Sequence, residues 1–167
     1  MTVQETLDPA VSAPPPATFH DLMAGVGYTL FQWSMVEQSL DDEILELRRA
    51  AGDIAAPHVR PRSISERLGE WRALLGRGRR RNADQHAGIE QLGDRVQDAL
   101  RLRNLVANGL TSAAIEGDEP VIRCALGSAR VAGAEEVRLG MTDLLAAIDA
   151  MERIRADLPS FRGHGES

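Results

Sequence analysis

The chain has 167 residues, enough for one domain with a sizeable core and too few for two of ordinary size. Apolar residues make up 43% of it and aromatic residues only 4%, which favours packed helices over an aromatic-rich sheet protein. The formal net charge is −6, and the single cysteine, Cys124, excludes an internal disulfide and an all-cysteine metal site, so we expect a cytoplasmic protein.

The first 17 residues differ in composition from the rest. They are acidic, contain Pro14, Pro15 and Pro16 in a row, and lack an apolar core. We therefore expect a disordered N-terminal tail over residues 1–17 and neither a signal peptide nor an anchor. No apolar run approaches the roughly 20 residues that span a bilayer, so no membrane association is expected.

Three stretches before residue 110 have the apolar spacing of amphipathic helices. The first runs over about 19–51, with Thr18 as its N-cap and a glycine at its end. The second begins after a capping box at Ser63 and covers about 64–76. The third covers about 84–108. These patterns predict two long helices and one short helix.

The amino-acid composition changes after the third predicted helix. Residues 110–140 contain four glycines and short β-type runs, which predicts two or three short antiparallel strands. A last helix is predicted from Thr142, its N-cap, to about residue 158, followed by a C-terminal tail over 159–167. The predicted fold is mainly α: an up-and-down four-helix bundle, with a small antiparallel hairpin or short sheet before the last helix, in one domain over 18–158.

Each long predicted helix carries one formal charge at the centre of its apolar stripe. Positions seven or eleven apart lie within roughly 20° of each other around a helix. Arg103 therefore shares a face with Leu92 and Val96, and Glu37 shares one with Leu30. Because an unpaired charge in a core is costly, we hypothesise that Glu37 and Arg103 form an interhelical ion pair. The alternatives are that either side chain reaches past the stripe to solvent, or that the pair only fixes helix register.

These features resemble the HEPN superfamily (higher eukaryotes and prokaryotes nucleotide-binding). They are a first helix with Trp33 and Glu37, a capped second helix, and a third helix that ends in Arg103-Asn104 before a short sheet and a last helix. The resemblance is to small bacterial stand-alone members with an "RN…HG" helix end, and it covers roughly residues 18–158. It implies a helical bundle that forms a homodimer.

The resemblance also implies roles for single residues. Active members of the family are metal-independent ribonucleases with the signature Arg, polar residue, three variable residues, His. Arg103 and Asn104 match the first two positions. In the family the arginine holds or polarises the scissile phosphate and the histidine moves a proton, and Glu37 would orient Arg103. Asn108 stands where the histidine belongs. A carboxamide forms hydrogen bonds but does not exchange a proton near neutral pH, so we expect a degenerate, inactive site.

Two further observations bear on Asn108. Asn108-Gly109 is also an ordinary helix terminator, because both residues tolerate the left-handed conformation. His86 lies roughly 25 Å before Arg103 on the same predicted helix and cannot reach it within one subunit, although a neighbouring subunit in a dimer could supply a histidine. The four histidines of the chain are scattered, and no pair of them has metal-ligand spacing. They are His20, His58, His86 and His164. No metal or cofactor is expected.

The segment after the second helix is a basic island. Residues 57–81 carry eight arginines against two acids, and Arg77, Arg79, Arg80 and Arg81 form a glycine-containing arginine loop. This loop either binds RNA phosphates without sequence preference or is simply a solvated connection.

The sequence thus leaves three functions open. The leading hypothesis is a nucleotide- or RNA-binding or protein-interaction module with a degenerate ribonuclease motif, in bacterial stress or phage-defence systems as the resemblance implies. The first alternative is an active metal-independent endoribonuclease of the toxin or defence type. The second is a helical assembly protein without a ligand.

Overall fold

A computed structural model describes residues 16–53, 63–77, 82–126 and 135–162. Three helices are followed by three strands, a fourth helix and a short 3-10 turn. The bounds are α1 Phe19–Ala50, α2 Ile64–Gly76, α3 Ala83–Asn108, β1 Leu110–Glu116, β2 Glu119–Ala125, β3 Glu136–Gly140, α4 Met141–Asp157 and the 3-10 turn Leu158–Arg162. The predicted mainly α fold with a short antiparallel sheet before the last helix is confirmed.

Capping boxes begin the first three helices. Thr18, Ser63 and Asn82 each accept a hydrogen bond from the backbone N–H three residues on, and the side chain there accepts one in return. The predicted caps at Thr18 and Ser63 are therefore confirmed. The predicted cap at Thr142 is wrong: α4 begins at Met141, and the backbone N–H of Gly140 donates to the Asp143 carboxylate at 2.7 Å.

Helix α3 runs antiparallel to α1, and two core clusters lie along their shared axis. In the first cluster, Val36 and Leu40 of α1 pack with Leu92 and Val96 of α3, together with α2 and the second half of α4. In the second cluster, Leu22 and Val26 of α1 pack with the end of α3, the sheet and the start of α4. The short helix α2 therefore packs beside only one half of the bundle.

The 3-10 turn belongs to the folded domain. Phe161 packs edge-on against the buried ring of Trp71, with ring centroids 5.9 Å apart, and Arg162 forms an ion pair with the buried carboxylate of Glu43. Residues 159–162, which we expected in the C-terminal tail, thus close the end of the first core cluster. Residues 1–15 and 163–167 of the two expected tails lie outside the described residues.

The sheet is an antiparallel meander in the order β1-β2-β3. Its inner face contributes Ile122, Cys124 and Leu139 to the second core cluster. On its outer face the Glu116 carboxylate accepts one hydrogen bond from Nε of Arg123 and one from Nε of Arg138, each at 3.0 Å. These two bonds lower the pKa of Glu116. Across the described ranges, no helix has the length and apolar character needed to cross a membrane.

Candidate functional site

The predicted motif lies where α3 meets the sheet. Asn108 is the last residue of α3, and the buried Gly109 caps the helix by donating from its N–H to the Leu105 carbonyl at 2.9 Å. The Gly109 carbonyl in turn accepts from the N–H of Ala125, at the end of β2, at 2.8 Å. These bonds tie the end of α3 to the end of β2.

The reason for glycine at position 109 differs from the predicted one. Gly109 has φ −96° and ψ −9°, a conformation open to any residue, so the expected left-handed terminator is wrong. A Cβ at this position would lie 2.7 Å from the Ala125 carbonyl oxygen and 2.7 Å from the Leu105 carbonyl oxygen. Gly109 therefore permits close packing of helix against strand.

A groove of about 570 Å³ lies beside this junction. Leu102, Leu105, Ala125 and Leu126 give it apolar walls, and Leu126 is 47% exposed. The polar side chains that line it within the described part of the chain come from α3 and are Arg101, Asn104 and Asn108. Two of the predicted site residues thus share a cavity, whose volume falls in the range of about 300–1,000 Å³ typical of small-molecule sites.

Arg103 is adjacent to the groove without lining it. Its side chain is half-buried, and its Nη1 donates to the Asn104 Oδ1 at 3.0 Å. This bond turns the oxygen of the Asn104 carboxamide toward the guanidinium. Arg103 thus contacts its neighbour Asn104, whereas Asn104 and Asn108, and not Arg103, line the groove.

Glu37 is not part of this arrangement. Its carboxylate contacts Arg67 of α2 at 3.5 Å, and Arg67 also reaches Asp41 at 3.4 Å. Among the described residues the predicted Glu37–Arg103 pair does not form, so that hypothesis is wrong. Glu37, with a side chain 37% exposed, lies beside Arg67 of α2 next to the first core cluster, whereas Arg103 lies toward the second, so the two are at different levels along the bundle.

The arginine loop can be located only in part. Arg77 is exposed and forms the C-cap of α2, where its N–H donates to the Leu74 carbonyl at 3.1 Å. Arg79, Arg80 and Arg81 lie outside the described residues.

Among the described residues that line the groove, none exchanges a proton near neutral pH: they include no histidine, carboxylate or thiol side chain. His20 and His86 are exposed in the first turns of α1 and α3, and His58 and His164 lie outside the described residues. Cys124 is buried, and burial raises the pKa of its thiol, with Glu136 adding to the effect, so it is a poor nucleophile.

Sequence reasoning missed most of the groove's walls. Leu102 and Leu105 belong to α3, but Ala125 and Leu126 come from a strand end about twenty residues further along the chain. Arg101 was also missed, although it lies two residues before Arg103. Comparison with models of known families, with curated proteins and with solved structures found no match to this chain.

Proposed function

We propose that the protein is a binding module for single-stranded RNA or a nucleotide, with the groove at the end of α3 as its binding site and without ribonuclease activity. The observation that carries the proposal is the composition of the groove: apolar walls, two carboxamides and an arginine in one cavity. The partial match of Arg103, Asn104 and Asn108 to the HEPN signature supports the same ligand class.

Each part of the groove suits one part of a nucleotide. The leucine and alanine walls can cover the faces of a base, and the carboxamides of Asn104 and Asn108 can donate to and accept from its edge. The C-terminal end of α3 is partly negative and therefore disfavours an anion there. The phosphate therefore belongs at Arg101, about two helical turns before the helix end.

The same composition argues against catalysis. Hydrolysis of RNA without a metal needs a group that removes a proton from the ribose hydroxyl and one that returns a proton to the leaving oxygen. Asparagine and arginine do neither near neutral pH, because a carboxamide does not ionise and a guanidinium stays protonated.

Groove variants test the binding site. We expect Asn104→Ala and Asn108→Ala each to weaken binding of a labelled oligoadenylate by about tenfold, since one bidentate contact to a base edge contributes about 1–3 kcal/mol. Fluorescence anisotropy at fixed salt measures the Kd. Gln91→Ala is the matched control, because it removes an exposed carboxamide from α3 outside the groove. Equal affinity of the wild type and both asparagine variants would exclude the groove as the site.

The variant Asn108→His tests the proposal that the chain lacks ribonuclease activity. The wild-type chain is expected to leave labelled RNA intact in the presence of EDTA, whereas Asn108→His should introduce slow cleavage that Arg103→Ala removes. Gel analysis of the products measures both. Cleavage by the wild type that disappears in Arg103→Ala would instead identify an active metal-independent ribonuclease.

The oligomeric state and the cellular location are also part of the proposal. We propose a homodimer on the basis of the HEPN resemblance, and a cytoplasmic location on the basis of the single buried thiol. A protein partner is the other candidate ligand. If no RNA or nucleotide shifts the melting temperature, the chain is better described as a protein-interaction or assembly module.

A further inference from the structure

The groove at the end of α3 has a single cation, Arg101, among the described residues that line it. Arg103 does not line the groove, and its guanidinium donates to Asn104. None of the described lining residues is aromatic. Proteins that bind single-stranded RNA along its backbone combine a positively charged groove with aromatic rings on which the bases stack. The groove therefore suits one nucleotide with one phosphate better than a stretch of RNA.

The charges on both sides of Arg101 leave room for only one phosphate. Toward the start of α3, the exposed Asp94 and Asp98 lie seven and three residues before Arg101, which places all three residues on one side of the helix. Toward the other end, the partly negative C-terminus of α3 disfavours an anion. A second phosphate would therefore meet negative charge in either direction along the helix.

Asp98 already binds the cation of the groove. Its Oδ1 accepts from Nη2 of Arg101, and the two side chains are 65% and 75% exposed. An ion pair as exposed as this one is weak, so a ligand phosphate can displace the Asp98 carboxylate. The exchange favours binding only if the phosphate interacts with the guanidinium more strongly than the carboxylate does.

Two kinds of phosphate differ in this exchange. An internal phosphodiester of RNA carries one negative charge, as the Asp98 carboxylate does, so replacing the carboxylate with it gains little. A phosphomonoester carries a charge of about −1.5 to −2 near pH 7 and has three terminal oxygens that accept hydrogen bonds. Two of these oxygens match the paired N–H donors of a guanidinium. Displacement of Asp98 is therefore favourable for a monoester.

We propose, resting on the function proposed for the groove, that its ligand is a nucleoside phosphomonoester and that Asp98 determines this specificity. Arg101 binds the terminal phosphate, while Asn104 and Asn108 bind the edge of the base. Because Asp98 holds Arg101 until a more highly charged group displaces it, an internal phosphodiester adds nothing to the affinity. The groove thus selects a nucleotide with a terminal phosphate over the backbone of an RNA chain.

Three probes with the same nucleoside test the preference for a monoester. They are adenosine, AMP and the methyl ester of AMP, whose phosphate is a diester. Isothermal titration calorimetry at one salt concentration near pH 7 measures each Kd. The wild type should bind AMP at least about threefold more tightly than the methyl ester, and the methyl ester within about twofold of adenosine. Equal affinity for AMP and its methyl ester would overturn the proposal.

Surface variants of α3 test the role of Asp98. Asp98→Asn leaves Arg101 unpaired by this carboxylate, so the Kd values of AMP and of the methyl ester should each fall about two- to fivefold, while that of adenosine stays unchanged. Arg101→Ala should reduce the affinity for AMP to that for adenosine. Asp94→Asn is the matched control, because it removes the same charge from the same side of α3 and keeps the Arg101–Asp98 pair. An unchanged Kd of the methyl ester in Asp98→Asn, or an equal gain in Asp94→Asn, would overturn the role of Asp98.

Short oligoadenylates test the restriction to one nucleotide. An oligomer with a 5′-phosphate should bind within about twofold of AMP, since the described lining of the groove offers no second cation. The same oligomer with a 5′-hydroxyl should bind like adenosine. If both oligomers bind at least tenfold more tightly than AMP, the groove contacts the RNA backbone and the proposal is wrong.

Failure of this specificity and failure of the proposed function give different results. If adenosine, AMP and the methyl ester bind equally and Asn108→Ala weakens the binding of all three, the groove remains a nucleoside site and only the role of Arg101 and Asp98 is overturned. If none of the three probes and neither oligomer binds, the proposed function fails together with this specificity.

Discussion

Replacing Gly109 with alanine is expected to lower the free energy of unfolding by about 1–3 kcal/mol, the usual cost of forcing an extra group into a packed site. The added Cβ would lie 2.7 Å from two backbone carbonyl oxygens, those of Leu105 and Ala125. Backbone atoms cannot rotate away as a flexible side chain can. The end of α3 must therefore shift from β2, and the hydrogen bond from Ala125 to Gly109 is strained.

Gly69→Ala provides the matched control in urea-induced unfolding. Gly69 is exposed within α2, and a Cβ there meets nothing within 4 Å, so alanine should stabilise the protein by about 0.5–1 kcal/mol through helix propensity. The two glycine substitutions are thus expected to have opposite signs. Because Gly109 also lines the groove, its substitution should weaken the proposed RNA binding, whereas Gly69→Ala should not. Equal stability of both variants would show that α3 and β2 are not in close contact.

Arg162→Ala is expected to cost about 2–3 kcal/mol of stability. Glu43 is only 3% exposed, and Arg162 donates to both of its carboxylate oxygens, with Nε 2.6 Å from Oε2. Removing the arginine leaves a buried carboxylate without this partner, a change that costs about 3–5 kcal/mol where the pair is fully enclosed. The Arg162 side chain is partly exposed, so water entering its place reduces the penalty.

Two further variants identify the cause. Arg153→Ala removes an exposed i,i+4 pair with Asp149 and should change stability by less than about 1 kcal/mol. The double variant Glu43→Leu/Arg162→Met removes both charges and should recover most of the stability lost in Arg162→Ala. Urea unfolding monitored by tryptophan fluorescence suits this series, because Trp71 packs against Phe161, next to Arg162. No recovery in the double variant would assign the loss to packing of the 3-10 turn.

The helices were predictable because their signals are local. A capping box needs only four residues, and the apolar stripe of α1 repeats over nine turns, so both can be read from a single segment. The last cap was missed because the N-cap residue is Gly140, which has no side chain to indicate the helix start, and the Asp143 carboxylate accepts the hydrogen bond from its N–H. The short strands followed from their β-type runs and glycines.

The candidate site was predictable only in its helical part. Asn104 and Asn108 were found because they lie in one motif on one helix. The other wall of the groove is formed by the end of β2, which belongs to the β1–β2 hairpin and packs against α3 at Gly109. No local sequence pattern indicates that contact. The predicted Glu37–Arg103 ion pair is wrong for a related reason. Helical periodicity gives the direction of a side chain around its own helix axis, but it does not give the position along the bundle at which a residue of another helix lies.

Nitrogen-15 NMR of the asparagine side chains reports directly on nucleotide binding in the groove at the end of α3. The chain contains three asparagines, Asn82, Asn104 and Asn108. On titration with AMP or a short oligoadenylate, the NH₂ resonances of Asn104 and Asn108 should shift together with saturation, while those of Asn82, the N-cap at the other end of α3, stay in place. Saturable binding that leaves Asn104 and Asn108 unshifted would contradict a binding site in the groove.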